Sequence, residues 1–161
     1  MDLDPELFKR ALRAWPSGVT VVTAVSGSGF TGMTASSFTS VSLSPPMVSV
    51  CVDVAARTLE ALRAQRRFAI SVLASDQAEA SRRFASRRDD AFKFETPTVD
   101  GANGCPLIAD ASAHLECDMA FEHAAGDHII VVGVVTRAVS TERAPLVYWN
   151  GQYGGFAPLP V

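Results

Sequence analysis

The sequence predicts an all-β fold, a β-barrel carrying peripheral helices, in a single domain over residues 1–161. Six or more segments run at the period of a strand, most of them suited to antiparallel pairing. Helical spacing is confined to three short stretches, which points to a barrel and away from a βαβ sheet. With 161 residues and a hydrophobic fraction of 48%, the chain suits one domain with a core of its own.

The chain opens with a helix over 4–15. Asp4 is its N-cap, Pro5 takes the first helical position, and Leu3 is placed to pack on Phe8 as a hydrophobic staple. Leu7, Phe8, Ala11, Leu12 and Trp15 recur at helical spacing until Pro16-Ser17-Gly18 stops the helix. Val19 to Val25 is rich in β-branched residues and runs into the turn Ser26-Gly27-Ser28-Gly29. A second strand follows from Thr31 to about Ser42. In Met47 to Val54, the residues Val48, Val50, Val52 and Val54 share one face, and Arg67 to Leu73 repeats the pattern with Phe68, Ile70 and Val72. In His114 to His123, Leu115, Cys117, Met119 and Phe121 alternate with His114, Glu116, Asp118 and Glu122, so the polar set should face solvent. His128 to Val139 is nearly all apolar and should be covered on both sides. Two short helices lie between the strands. One runs near 58–64 with Thr58 as N-cap; the other runs near 77–86, where Asp76 and Glu79 have capping-box spacing. Glu95 to Asp110, rich in Pro, Gly and Asn, reads as a long loop, a length that in a small domain points to function or mobility.

A formal charge of −3 argues against nucleic acid and anionic membrane as partners, because both need a net basic surface. It leaves room for a local basic pocket that holds a phosphate. The acidic start Met1-Asp2-Leu3-Asp4 lacks the Lys or Arg of a signal peptide, and the longest apolar run, Ile129 to Val135, is too short to span a bilayer. Cys51, Cys105 and Cys117 are odd in number, widely spaced and without a CxxC pair. They read as buried, reduced thiols of a cytoplasmic protein.

Gly27-Ser28-Gly29-Phe30-Thr31-Gly32 matches the GxGxxG pattern of dinucleotide-binding folds and follows a strand. That pattern works only where a helix starts, because the helix N-terminus receives the pyrophosphate. Here Met33 to Thr39 is rich in Ser and Thr and poor in helix formers, so a glycine-rich hairpin is the better reading. The hydroxyls of Thr31, Thr34, Ser36, Ser37, Thr39, Ser40 and Ser42 suit a ligand rich in carbonyl or phosphate oxygens. They equally suit a half-exposed strand, in which Thr is simply a good β former.

The run Gly32-Met33-Thr34-Ala35-Ser36-Ser37-Phe38-Thr39-Ser40-Val41-Ser42, followed by Pro45-Pro46, resembles the signature of the flavin reductase family, the small components that feed reduced flavin to partner monooxygenases. The resemblance continues through Cys51-Val52-Asp53 to Thr58, Phe68 to Leu73, and Phe84 to Phe92-Lys93-Phe94. It ends with Gly126-Asp127-His128 and Pro145-Leu146-Val147-Tyr148, and so covers nearly the whole chain in order. It implies a split β-barrel of the FMN-binding type that forms a homodimer, binds FMN or FAD near the subunit interface, and acts as an NAD(P)H:flavin oxidoreductase. Carried over by position, Met33, Thr34, Ala35, Ser36 and Ser37 would bind the flavin through hydroxyls and backbone. Cys51, Val52, Asp53, Arg57 and Thr58 would border its ring and phosphate, with Phe84 in the same cofactor-binding set. His128 would sit beside the nicotinamide, and Asn150 and Tyr153 would complete that pocket. Ser71 stands where the family often has Asn, and its hydroxyl is shorter.

Hydride transfer between nicotinamide and flavin is chemistry that the cofactors carry, so the protein mainly positions two rings. His128, read alone, is a turn residue after Gly126-Asp127; the resemblance makes it the candidate catalytic residue, as an orienter or hydrogen-bond donor. Arg82, Arg83, Arg87 and Arg88, with Lys93 nearby, form either a solvated helix face balanced by Asp89 and Asp90 or a contact to a cofactor phosphate, with Lys93 and Arg82 as candidates. The histidines and neighbouring acids show no compact ligand spacing, so no metal is expected. Cys117 lies on an apolar face and Cys105 in a loop without an activating neighbour, so neither reads as a nucleophile. No basic residue can be assigned to a 2′-phosphate, which places NADH ahead of NADPH; FMN and FAD are not separated. Two rivals remain at this level: a split-barrel flavoprotein with tightly bound FMN acting as electron carrier or oxidase, and a non-catalytic flavin-binding module.

Overall fold

The structure is a computed structural model that describes residues 3–159, so the Met1-Asp2 start of the sequence lies outside it. The chain runs α1 (Pro5–Arg13), β1 (Ser17–Gly18), β2 (Thr20–Ser26), β3 (Gly29–Ala35), β4 (Thr39–Leu43), β5 (Pro46–Asp53), α2 (Arg57–Gln65) and β6 (Arg67–Val72). It continues through α3 (Ala78–Ala85), α4 (Asp90–Lys93), β7 (Thr98–Asp100), β8 (Pro106–Ile108), β9 (Ala113–Ala125), β10 (His128–Ser140), β11 (Val147–Trp149) and β12 (Gln152–Gly154). Seven strands form one antiparallel sheet in the order β3-β2-β6-β9-β10-β5-β4, and β1-β11-β12 and β7-β8 form two small ones.

The two edge strands of the large sheet, β3 and β4, are consecutive in the chain and separated only by residues 36–38. Four peptide steps reach about 15 Å, whereas a flat sheet of this width would spread roughly 29 Å. The sheet therefore curls until its edges approach. No ladder joins β3 to β4 among the described residues, so the curl is not closed. Ser37 holds the crossing in place: its Oγ accepts the Cys51 N–H of β5 at 2.9 Å.

Inside the curl, Val22, Val50, Phe68, Ile70, Cys117 and Val131 pack with Leu59 and Leu62 of α2. On the other side of β2, Val19 and Val21 pack with Ala80 and Phe84 of α3 and with Leu73, Ile108 and Leu146. Strand β2 is thus covered on both faces, which is why its sequence is continuously apolar or β-branched rather than alternating.

Several sequence expectations need correction. The single strand over 31–42 is two strands, because the chain must cross between sheet edges at Ser36–Phe38. The 58–64 helix starts at Arg57 with Ala56 as N-cap, and Thr58 is buried inside it. The capping box of the 77–86 helix does not form: Gln77 is the N-cap, and Asp76 pairs instead with Arg143 at 2.7 Å. The long loop over 95–110 contains the β7-β8 hairpin. That hairpin also explains Glu116, which is 3% exposed rather than solvent-facing. The Asn103 N–H donates to its carboxylate at 2.6 Å, and Arg137 lies 3.6 Å away. The hairpin similarly covers the second face of β6, where Ser71 Oγ accepts the Ile108 N–H at 2.9 Å. Strand β10 is covered only in its first half. Strand β5 pairs with it over His128–Val134, so beyond that point β10 becomes an exposed edge. The first helix forms with Asp4 as cap, but none of its residues is buried, and Leu3 and Phe8 both stay exposed.

Candidate active site

Strand β3, the turn from β5 into α2, the end of α3 and α4 enclose a cleft of about 460 Å³. The turn is set by Asp53, whose Oδ1 accepts the Ala55 N–H at 2.7 Å while its carbonyl accepts the Ala56 N–H at 3.0 Å. Helix α2 then begins on Ala56, which offers no side-chain cap. The first turn of α2, with Ala55 to Thr58, forms one wall of the cleft. An uncapped helix start leaves N–H groups and the positive end of the helix dipole facing that space.

The opposite wall carries cations. Arg87 and Arg88 follow α3, Lys93 closes α4, and Arg57 faces them from α2. The Arg88 guanidinium lies 3.5 Å over the Phe92 ring, which holds it beside the cleft. Lys93 is only 8% exposed; its ammonium donates to the Gly32 carbonyl at 2.9 Å and lies 3.7 Å from Asp90. Burial pushes the Lys93 pKa down, Asp90 draws it back up, and Arg57 lowers it further. Lys93 is thus held at the edge of the cleft between the Gly32 carbonyl and Asp90.

The floor is Met33, Thr34 and Phe84. Gly32 is required beneath it, because a Cβ there would stand 2.8 Å from the Phe84 ring and 3.0 Å from the Val22 carbonyl. Thr34 Oγ1 donates to the Ser81 carbonyl of α3 at 2.7 Å. His128 stands at the same end of the sheet. It is the register partner of Asp53, and the Val54 N–H donates to the Asp127 carbonyl at 3.1 Å. The His128 Nδ1 is 2.7 Å from Asp127 Oδ1, which fixes the ring and leaves Nε2 as the outward nitrogen. The same contact holds the Asp127 carboxyl below its ordinary pKa.

The structure therefore gathers Met33, Thr34, Asp53, Arg57, Thr58, Phe84 and Lys93 around one cleft, with His128 on the neighbouring strand. The remaining expected residues lie elsewhere. Ala35 and Val52 are buried in the core. Ser36 and Ser37 border a separate cavity of about 390 Å³ with Trp15 and Phe38. Cys51 contacts Ser37 through its backbone. The Tyr153 hydroxyl is 2.8 Å from Ser81 Oγ and its ring lies under the Arg82 guanidinium, so both point to α3. Asn150 has a φ of 49° in the β11-β12 turn and donates its N–H to the Arg13 carbonyl. Ala55 and Ala56 of the wall lie within the expected segment 51–58, whereas Ala85 and Ser86 were not anticipated. Burial pushes the Cys117 thiol up to about 12 and raises that of Cys105, so neither forms a thiolate at neutral pH.

The curled antiparallel sheet thus sets four cations and an uncapped helix start around one cleft. The chain belongs to the flavin reductase family: residues 12–157 match the family model described as the flavin reductase like domain. It is 36% identical over 159 residues to a flavin reductase of Pseudomonas putida, spanning 98% of this chain and 93% of that one. It is 44% identical over 156 residues to an NADH-dependent FAD reductase of Streptomyces globisporus, spanning 94% and 85%. Among solved structures, the NADH:FAD oxidoreductase SgcE6 of Streptomyces globisporus C-1027 superposes with a TM-score of 0.90 at 42% identity, covering 98% of each chain. BorF, the flavin reductase component of a bacterial two-component tryptophan halogenase, superposes with a TM-score of 0.88 at 39% identity, covering 97% of this chain and all of that one.

Proposed function

We propose that the protein is an NADH-dependent flavin reductase that supplies reduced FMN or FAD to a partner monooxygenase. The observation that carries this reading is the cleft wall: the uncapped start of α2, which carries Arg57, faces Arg87, Arg88 and Lys93. Backbone N–H groups at a helix start and converging cations suit a phosphate. The relatives named for NADH-dependent FAD and FMN reduction supply the choice of cofactors.

The residues present fit flavin. Lys93 and the α2 start would hold its phosphate, Thr31, Thr34 and Thr58 offer hydroxyls, and Met33 and Phe84 offer apolar surface to the ring. When bound, flavin accepts two electrons and a proton from the reduced nicotinamide by its own chemistry. The chain's part is to align and to exclude water. His128, oriented by Asp127, presents Nε2 to the nicotinamide and acts as a positioning residue.

The curled sheet is a split barrel in this reading, and the functional unit is a homodimer. Helix α1 and the Trp15 that follows it offer the apolar face for the second copy, since Leu7, Phe8, Leu12 and Trp15 are all exposed. The deciding experiment follows NADH oxidation by absorbance with added FMN, FAD or no flavin. Turnover that saturates with added flavin is expected; flavin binding without turnover would overturn the assignment.

A further inference from the structure

Asp90 opens α4 without capping it. The cap is Asp89, whose Oδ1 accepts the Phe92 N–H at 3.0 Å. The Asp90 carboxylate thus has no part in starting its own helix, and three groups that line the cleft converge on it. Arg57 lies 3.5 Å from one oxygen. The other oxygen has Lys93 at 3.7 Å and accepts the Thr31 hydroxyl proton at 3.3 Å. The Asp90 side chain is 20% exposed, so water and salt screen these contacts only in part.

The four cations of the cleft are therefore not equivalent. Arg57 and Lys93 already face a carboxylate, whereas Arg87 and Arg88 form no ion pair among the described residues and Arg88 rests on Phe92. A phosphate monoester carries roughly −1.5 to −2 charges at neutral pH. Seated beside Lys93 and the start of α2, it meets Asp90 as a like charge. The geometry points to Asp90 as an internal competitor of the flavin phosphate: it engages Arg57, Lys93 and Thr31 before flavin arrives, opposes the incoming dianion, and so sets how far the protein prefers FMN to a flavin without a phosphate. This role rests on the flavin reductase reading and deepens it. A resident carboxylate keeps the hold on the phosphate weak, which suits a protein whose reduced flavin must leave for a partner.

FMN and riboflavin share one ring and differ in the phosphate, so they separate this role from a structural one. A mere tie between α4, β3 and α2 would act on both flavins alike. Competition for the cations acts on FMN alone.

The dissociation constants of FMN and riboflavin are measured for the unaltered protein and for Asp90→Asn, which keeps an acceptor for Thr31 and removes the charge. The FMN constant should fall about fivefold, the scale of one partly screened contact between charges, while the riboflavin constant stays near its original value. An unchanged ratio of the two constants overturns the proposal, as does weaker FMN binding with riboflavin unaffected, which would make Asp90 a holder of the two cations. Should Asp90→Asn fail to fold by circular dichroism, Asp90→Ser removes the same charge, keeps a hydroxyl for Thr31 and decides in its place. Absence of flavin binding by the unaltered protein would overturn this role and the reductase reading together. An unchanged ratio in a protein that binds and reduces flavin overturns this role alone.

Discussion

The hydroxyls of Ser81 and Tyr153 lie 2.8 Å apart, and Ser81 is fully buried while its carbonyl accepts the Thr34 hydroxyl. One residue of α3 thereby joins the C-terminal hairpin to the floor of the cleft. Tyr153 acts through Ser81 as a positioning residue. Tyr153→Phe removes one hydrogen bond and should cost about 1 kcal/mol of stability. It should also raise the flavin dissociation constant while leaving the rate at saturating flavin near its original value. Thermal unfolding and a flavin titration test this. A lower Tm with unchanged flavin affinity would break the link from Ser81 to the cleft.

The His128 ring is held by Asp127 at 2.7 Å and stands opposite Asp53 in the β5-β10 register. Removing a single positioning contact of this kind is worth about 1.4 kcal/mol, or roughly tenfold in rate. His128→Ala should therefore lower kcat/KM for NADH by about that factor and leave FMN affinity nearly intact. Stopped-flow reduction by NADH at unchanged speed would remove His128 from the reaction.

Much of this architecture was legible in the chain. The cap Asp4, the Ser26–Gly29 turn and the Val48, Val50, Val52 face are all local signals, and each appears where local physics puts it. What escaped was long-range. Glu116 reads as solvent-facing by alternation, yet a hairpin drawn from an apparent loop covers it. The flavin segment reads as one ligand-binding strand, yet the curl of the sheet sends Thr34 towards α3 and Ser37 towards β5. Alternation reports which residues share a face and says nothing about what later covers it. The cleft was half visible for the same reason: Met33, Thr34 and Lys93 carry a recognisable pattern, whereas the uncapped start of α2 matters only once Arg87 and Arg88 are brought opposite it.

Three surface carboxylates contribute to the acid limb of stability, each modestly because solvent screens it. Arg143 holds Asp76 below its ordinary pKa, Arg63 does the same for Glu122, and His128 for Asp127. A carboxyl whose folded pKa is depressed contributes fully above its unfolded value, near 4, and loses that contribution as pH falls through the folded value. The Tm should therefore fall as pH drops below about 4. The Asp76→Asn, Glu122→Gln double variant should show a shallower fall over the same window. Parallel Tm profiles for the two proteins would show that these pairs do not contribute.

Helix α1 has nine residues, and an isolated helix of that length is not stable in water. None of its residues is buried, and Trp15 just beyond it is 76% exposed. Its attachment to the rest of the chain includes the Asn150 N–H donated to the Arg13 carbonyl. Leu7, Phe8 and Leu12 form a stripe that a second copy would cover, consistent with a two-fold contact of like surfaces. Trp15 also borders the cavity that contains Ser36 and Ser37, so the covered state would finish that cavity as well. Sedimentation equilibrium should show a dimer whose Tm rises with protein concentration. Leu7→Lys with Leu12→Lys should shift it to monomer, abolish the concentration dependence and weaken flavin binding. A monomeric unaltered protein, or a double variant that still dimerises, would remove α1 from the interface.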